Sequence, residues 1–274
     1  MKRFFYSLLA LMAVTFVSLT LTACGGDDDG GNPISGGGGS SSNTGTFQGT
    51  KRVFSKALVS EISNSSQTTS MTYDANGFLT KIVEKKSSGT KTTNITYAEN
   101  KISVVWTRDY GSSKDSPSSM LVNIGSNGFA SGGKFISGSN TETFAFEYDS
   151  DNRLSKVKWN GEDEVTELTY SNGDNVISSV SNNGTLSKTY NISYTSINNT
   201  FIVMPEFMGA DLDEVGEVLG YAGALGYPTK HLPAEIKKSS GSTYSFSWTM
   251  NSAGIPTQLT YSGTTSTIKY IELK

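Results

Sequence analysis

Two residue types that carry much of protein chemistry occur once each in this chain, as Cys24 and His231. A zinc site needs three or four Cys, His or carboxylate ligands, and His231 in TKHLP has no Cys or second His to join it. We interpret His231 as a hydrogen-bonded residue at a loop-to-strand junction. The sequence also contains no G-x-S-x-G nucleophile elbow and no G-x-x-x-x-G-K-[ST] phosphate loop. These observations predict a non-enzymatic protein without a metal or cofactor.

Two acidic stretches resemble the beginning of a calcium-binding loop, DANG at Asp74 and DSDN at Asp149. Such a loop ends with a bidentate glutamate at its twelfth position, but here the twelfth residues are Lys85 and Asn160. We interpret both stretches as turns.

A third acidic group, Asp211, Asp213 and Glu214, could be the carboxylate set of a glycosidase. The catalytic pair of a glycosidase must face each other across a cleft, whereas neighbouring helix positions point in different directions. Acids in a first helical turn complement the helix dipole. This interpretation is therefore preferred over a hydrolase site.

Cys24 ends a segment with a basic head and an apolar run, MKRFFYSLLALMAVTFVSLTLTAC. The run is long enough to span a bilayer, but its basic head and small-residue ending are typical of a secretory signal. Leu21-Thr22-Ala23-Cys24 resembles the lipobox of bacterial lipoproteins, in which cleavage before the cysteine is followed by its acylation. The resemblance implies a signal peptide over residues 1–23 and a lipid anchor at Cys24. Several acyl chains hold a protein firmly on a membrane.

Asp27, Asp28 and Asp29 follow closely in CGGDDDGG. They are either a solvated charge cluster or an export signal, because the stretch resembles the acidic signal that sends lipoproteins of Bacteroides-like bacteria to the cell exterior. The expected location is the outer membrane, lipid-anchored. An exterior-facing orientation is favoured by the resemblance, with a periplasmic orientation as the alternative.

Residues 24–45 are mostly Gly, Ser, Asn and Asp and predict a flexible tether. Removing the signal peptide with Lys2 and Arg3 moves the formal charge from −3 to −5. This balance provides no basic footprint for nucleic acid.

Residues 46–274 predict a single β-rich domain. Stretches such as KISVVW, TFAFEY and TYSFSWTM alternate apolar and polar residues with the period of half-buried strands.

The domain also contains an internal sequence repeat. The stretches MTYDANGFLTKI, FEYDSDNRLSKV and WTMNSAGIPTQL each predict a strand, a tight turn and a strand. At Asn76-Gly77 the dipeptide indicates a hairpin turn with positive φ at both positions. Further segments end alike in NITY, ELTY, NISY and QLTY. The spacing predicts an antiparallel meander of about 12–14 strands.

One segment departs from this pattern. Leu212, Val215, Leu219 and Ala222 have helical spacing, which predicts a helix within 205–224. Its several glycines would allow it to lie close to the sheet.

The hairpin units and the passage GYPTKHLPAEI after the helix are similar to a domain family of unknown function described as having a porin-like fold, found in lipoproteins of Bacteroides-like bacteria. The resemblance covers roughly residues 65–274 and brings no catalytic residues with it. A membrane-spanning barrel also alternates in polarity. The lipobox, the helix and the terminal IELK favour instead a strongly curved half-barrel with the helix packed in its concave face.

From these sequence features we expect a surface lipoprotein that binds a lipid, glycan or envelope protein without catalysis. The alternative is a structural or assembly component that contacts other envelope proteins through an exposed sheet edge. A hydrolase is the third, less favoured hypothesis.

Overall fold

The computed structural model describes residues 46–272 except 55, 111–112, 115–117, 162, 201–203 and 211. The predictions for Cys24 and for Asp27, Asp28 and Asp29 lie outside these described residues. The same is true of the boundaries proposed for the signal peptide and the tether.

The described residues form seventeen β-strands, one α-helix and two short 3₁₀ helices. The strands are β1 (Ala57–Ser63), β2 (Gln67–Tyr73), β3 (Leu79–Lys86), β4 (Gly89–Ala98), β5 (Lys101–Tyr110), β6 (Ser113–Lys114), β7 (Ser118–Ile124), β8 (Ala130–Ser137), β9 (Asn140–Tyr148), β10 (Leu154–Trp159), β11 (Glu164–Ser171), β12 (Asp174–Asn182), β13 (Thr185–Asn198), β14 (His231–Lys238), β15 (Thr243–Met250), β16 (Pro256–Tyr261) and β17 (Thr264–Glu272). The helix α1 covers Asp213–Tyr221, and the 3₁₀ helices cover Thr50–Arg52 and Pro205–Met208.

Sixteen of these strands form a closed antiparallel barrel in which each strand pairs with its neighbours in chain order, while the short β6 pairs only with β5. The barrel closes because β1 pairs with β17 as well as with β2, with Ile62 opposite Ile268. The predicted half-barrel is therefore wrong, and so is the predicted number of strands. The closing contact joins segments about 200 residues apart, and a local sequence pattern contains no record of such a pairing.

The interior of the barrel is mostly apolar and its outer face is mostly polar. On β5, for example, Ile102, Val104 and Trp106 are buried inside, whereas Lys101 and Thr107 are exposed. Other strands alternate in the same way, with exposed Ser, Thr, Glu and Lys on β11, β15 and β17. A membrane-spanning barrel has the inverse arrangement, with an apolar band facing lipid.

Successive connections alternate between the two ends of the barrel, because consecutive strands run antiparallel. The end that carries the β2–β3 turn is called the plug end here. It also carries the long β13–β14 connection, which contains α1, as well as the β7–β8, β9–β10 and β15–β16 turns.

The predicted strand-turn-strand repeats are confirmed, and all three turns lie at the plug end. The side chain that opens each turn accepts two backbone N–H bonds: Asp74 from Asn76 and Phe78, Asp149 from Asp151 and Arg153, and Asn251 from Ala253 and Ile255. Each turn also has one residue with positive φ, namely Gly77, Asn152 or Gly254. Asn76 is not among the residues with positive φ, so the hairpin type expected there is wrong. The turn role of Asp74 and Asp149 is confirmed.

Tyrosine hydroxyls join neighbouring strands at the plug end. Each donates a hydrogen bond of 2.6–2.9 Å to a carbonyl oxygen near the start of the preceding strand: Tyr73 to Val59, Tyr97 to Leu79, Tyr148 to Ala130, Tyr170 to Leu154 and Tyr194 to Asn175. The repeated tyrosine of the sequence therefore marks five strands that run toward the plug end, β2, β4, β9, β11 and β13. The tyrosine of QLTY is different, because Tyr261 lies at the opposite end, where its ring stacks on Tyr244.

Residues 204–210 and 212–226, together called the plug, fill the interior. The segment predicted to be one helix is two short ones, Pro205–Met208 and α1, separated at Gly209, which has a φ of 72°. A Cβ on Gly209 would lie 2.9 Å from the ring of Tyr190, so this glycine allows the close approach to the sheet that the sequence indicated. No helix in the described part of the chain is long and apolar enough to cross a membrane.

The plug contacts strands on every side of the barrel. Its side chains and carbonyl oxygens bond or pack against residues of β4, β5, β8, β9, β12 and β15, namely Lys91, Arg108, Ala130, Tyr148, Ser178 and Phe246. The plug, the inward strand residues and Phe47, Val53 and Phe54 of the N-terminal segment belong to one continuous apolar core. Where these contacts lie, the plug fills the barrel interior.

Candidate functional site

The interior contains a group of five charged side chains, called the ion-pair cluster: Glu84 of β3, Lys91 of β4, Arg108 of β5, and Glu214 and Glu217 of α1. Glu84 and Lys91 are direct partners in the register of β3 and β4 and form an ion pair. Lys91 Nζ also lies 3.4 Å from Glu214 Oε1 and 3.7 Å from Glu217 Oε2. Arg108 forms a second ion pair with Glu214.

The two glutamates of α1 have opposite pKa shifts. Burial raises the pKa of Glu217, the nearby carboxylate of Glu214 adds to this, and Lys91 only partly opposes it. Burial also acts to raise the pKa of Glu214, but the positive charges of Lys91 and Arg108 outweigh it, so the net shift is downward. Glu214 is therefore the firmly ionised partner, and Glu217 is the more easily protonated one.

The ion-pair cluster joins the plug to the wall of the barrel. A charge buried without a partner is strongly destabilising, so the plug is held where its carboxylates meet Lys91 and Arg108. Of the three acids considered as a glycosidase set, Glu214 belongs to this cluster and Asp211 lies outside the described residues. Sequence reasoning missed Glu84, which occupies an inward position two residues after the buried Ile82.

His231 is the first residue of β14, as the loop-to-strand interpretation expected. Its Nδ1 lies 2.7 Å from Asp174 Oδ2, and its backbone N–H donates to Asp174 Oδ1 at 2.8 Å. Asp174 is the first residue of β12, so this pair joins two strand starts at the plug end. The role of His231 as a hydrogen-bonded junction residue is confirmed. Among the described residues, no three His, Cys, Asp or Glu side chains lie close enough together to hold a metal ion.

An open recess at the plug end, called the Arg52 cleft, has a volume of about 290 Å³. It is lined by Thr46, Gln48, Arg52, Ser126, Asn127, Gly128 and Asn152. The N-terminal segment provides the first three, the β7–β8 turn the next three and the β9–β10 turn the last. The side chains that line it are polar and Arg52 is the only charged one, so the cleft suits a hydrophilic ligand.

The guanidinium of Arg52 is held in place on two sides. Its Nη1 donates to the carbonyl oxygen of Asn127 at 2.9 Å, and its Cζ lies 4.2 Å from the centre of the buried Phe129 ring. The ring of Tyr227 is 5.9 Å away from the same atom. Within the described part of the chain, Arg52 forms no ion pair with a carboxylate. The guanidinium of Arg52 is therefore a positive charge held at a fixed place in the cleft.

Comparison with known proteins gives one family match. Residues 131–262 match the model of a domain of unknown function (DUF4595) with porin-like fold. The likeness to this domain covers β8 to β16 of the barrel. The resemblance noted in the sequence is thereby confirmed, although the match begins at β8 and not near residue 65. None of the curated proteins compared matches the chain.

A solved structure shows a fold likeness over most of the chain. A porin-like protein from Bacteroides uniformis ATCC 8492 superposes with a TM-score of 0.60 and 19% identity, covering 83% of this chain and 100% of that one. A porin-like protein from Bacteroides vulgatus ATCC 8482 gives a TM-score of 0.40 and 13% identity, covering 79% and 100%. At 19% identity the first comparison shows that the fold is shared.

The Arg52 cleft was not predicted from the sequence. Its residues come from three segments that no motif connects, and Arg52 in TKRVF has no distinguishing context. The only available signal was indirect, since Asn127 and Asn152 occupy turns of SNGF and SDNR type. The predicted sites at Cys24 and at Asp27, Asp28 and Asp29 lie outside the described residues and stay predictions.

Proposed function

We propose that this chain is a lipoprotein, acylated at Cys24 and displayed at the outer membrane, that binds a polar ligand without catalysis in the Arg52 cleft. The observation that carries the proposal is the combination of a filled interior with a recess at one end. A lipid was one of the ligands expected from the sequence, but the plug occupies the interior space in which an acyl chain could lie. The Arg52 cleft is open and contains hydrogen-bonding groups, which favours a glycan-like ligand over a lipid.

The structural or assembly alternative has less support. It required an exposed sheet edge, and each of the sixteen ring strands is paired on both sides. The large apolar side chains exposed in the described residues, Val105, Ile177, Leu186 and Ile271, lie on β5, β12, β13 and β17. Single exposed apolar residues are normal on protein surfaces.

A hydrolase is disfavoured for a different reason. The best candidate pair, His231 and Asp174, bonds through both the ring and the backbone of the histidine. Glu214 and Glu217 are engaged with Lys91 inside the barrel. Neither pair lines the Arg52 cleft.

The lipid anchor is tested by metabolic labelling with a radioactive fatty acid. The wild-type chain should incorporate label and Cys24→Ala should not, since Cys24 carries the only thiol of the chain. Unchanged labelling of Cys24→Ala would refute the anchor.

The acidic signal is tested with Asp27, Asp28 and Asp29 changed together to Asn. This variant should lose its sensitivity to protease added to intact cells, and undiminished cleavage would contradict the export role.

Ligand binding is tested on the full chain in detergent against a panel of neutral and acidic glycans. Saturable binding to at least one of them is expected for the wild type. Ser126→Trp should abolish it, because this side chain lines the cleft and the larger residue would fill it. The matched control is Ser65→Trp, an exposed turn residue at the opposite end. Equal binding by the two variants, or no glycan bound by the wild type, would refute a binding role for the cleft.

A further inference from the structure

We infer that the ligand of the Arg52 cleft carries a carboxylate group, which Arg52 binds; the inference rests on the binding role proposed above and names the class of ligand. Arg52 is the only charged residue among those that line the cleft. Among the described residues, Arg52 forms no ion pair with an acid. Its positive charge is therefore available to an anionic ligand.

The position of the guanidinium suits a carboxylate in particular. An arginine side chain has five N–H donors in a rigid plane that matches the two oxygens of a carboxylate. One Nη1 donor is used by the Asn127 carbonyl, and the plane is held against Phe129 at 4.2 Å. Because the side chain is already ordered, little conformational entropy is lost when a ligand binds.

Gly128 shows how closely the fold fits around this group. It has a φ of 76°, and a Cβ built on it would lie 2.5 Å from Nη1 of Arg52. The β7–β8 turn thus leaves room for the guanidinium only because a glycine is present there. The turn also provides the Asn127 carbonyl that fixes Nη1, so one short segment determines where the cation lies.

The other residues that line the cleft indicate which further groups the ligand carries besides its carboxylate. Gln48, Asn127 and Asn152 are amides, and Ser126 has a hydroxyl group. Such groups both donate and accept hydrogen bonds, as the hydroxyls of a sugar do. A volume of about 290 Å³ is at the lower limit of small-molecule sites. The geometry therefore fits an acidic sugar of monosaccharide size.

The carboxylate has two sources, a ligand from outside or the chain's own Asp27, Asp28 and Asp29. Thr46 lines the cleft, and Asp29 precedes it by 17 residues. A Gly- and Ser-rich segment of this length has an r.m.s. reach of roughly 20–25 Å. The chemistry at Arg52 is the same in both cases, and the experiment separates them.

The experiment is calorimetric titration of the full chain in detergent with D-glucuronate, with D-glucose as the neutral probe of the same ring. We expect D-glucuronate to bind about tenfold or more tightly than D-glucose, because only the former forms charge-assisted hydrogen bonds. Arg52→Gln should reduce glucuronate binding to the level of glucose. Arg52→Lys keeps the charge but loses the planar fork, and should fall between them.

A second variant tests the inference without changing Arg52, in case the Arg52 variants do not fold. Asn152→Asp is nearly isosteric, and aspartate tolerates the positive φ of 59° found there. It places a negative charge in the cleft and should weaken the binding of D-glucuronate by a larger factor than the binding of D-glucose. Thermal melts of all variants check that the fold is retained.

The outcomes are distinguishable. Equal affinity for both sugars, or glucuronate binding that persists in Arg52→Gln and Asn152→Asp, would overturn the inference. If the wild type binds no glucuronate but the chain with Asp27, Asp28 and Asp29 changed to Asn does, the inference stands with the chain's own acids as the occupant. If neither chain binds glucuronate, the inference fails. The binding role itself survives that failure only if a neutral glycan binds and Ser126→Trp abolishes its binding.

Discussion

Glu84 and Lys91 are direct cross-strand partners on β3 and β4, and their side chains form an ion pair inside the barrel, where Lys91 also meets the two glutamates of α1. One lysine therefore links the wall of the barrel to its plug. An antiparallel sheet normally keeps its polar side chains on the face toward water. The inward position of Glu84 and Lys91 makes sense only because a helix with carboxylates occupies the interior.

Lys91→Met should destabilise the protein by about 3–5 kcal/mol, because it leaves buried carboxylates without their main partner. The measurement is the free energy of unfolding from urea titration. The control is Lys85→Met on the same strand as Glu84. Lys85 is exposed, so this change should alter stability by less than about 0.5 kcal/mol. A Lys91→Met protein as stable as its control would show that the ion-pair cluster does not hold the plug.

Glu214→Gln and Glu217→Gln should have opposite effects. The pKa of Glu214 is lowered in the folded protein, so its ionised form stabilises the fold above the ordinary value of 4.5 and that contribution is lost as the pH falls. The pKa of Glu217 is raised, so its ionisation costs stability as the pH rises above 4.5. At neutral pH, Glu214→Gln should therefore be less stable than the wild type and Glu217→Gln more stable.

The stability difference of Glu217→Gln should vanish below pH 4.5, where Glu217 is protonated in both the folded and the unfolded chain. The difference of Glu214→Gln should shrink as the pH falls from 4.5 through the lowered pKa of Glu214. The groups that face Glu217 are Lys91, Glu214 and Lys86, with Glu84 paired to Lys91 and Arg108 paired to Glu214. Chemical unfolding of both variants from acid to neutral pH provides the measurement. If both glutamine variants are destabilised equally at pH 7, the assignment of opposite pKa shifts is wrong.

Tyr148→Phe should cost about 1–3 kcal/mol, because the carbonyl oxygen of Ala130 loses a 2.6 Å hydrogen bond in a partly buried place. A matched control is Tyr110→Phe, since the Tyr110 hydroxyl has no hydrogen bond to other described residues. Thermal unfolding of the two variants should separate them by several degrees. Identical melts would show that the tyrosine hydroxyls at the plug end add nothing to stability.

Gly133→Ala should destabilise the barrel by about 1–3 kcal/mol through overpacking. A Cβ at this position would lie 2.1 Å from the carbonyl oxygen of Leu121 and 2.9 Å from the ring of Phe144. These atoms belong to the strands on either side of β8, so neither can move without disturbing the ladder. Ser131→Ala on the exposed face of the same strand is the control. The expected result is a lower denaturant midpoint for Gly133→Ala alone, and equal midpoints would contradict the close strand approach.

Local features of this fold could be predicted from the sequence because each rests on contacts between nearby residues. Asp74 and Asp149 cap turns whose N–H groups lie two and four residues further on. The buried faces of β5 and β9 follow from period-two alternation. Even the role of His231 followed from its place between a turn segment and a strand.

Closure of the barrel and the Arg52 cleft could not be predicted in this way. Ile62 meets Ile268, Lys91 meets Glu217, and Arg52 meets Asn127 only after distant segments come together. Period-two alternation is the same in an open sheet and a closed barrel, because it reports which face is buried and not which strands pair at the edges. The sequence by itself determined the strands, their turns and the buried face. The tertiary structure alone decided that the sheet closes, that charged groups lie inside it, and that the guanidinium of Arg52 faces a cleft at one end.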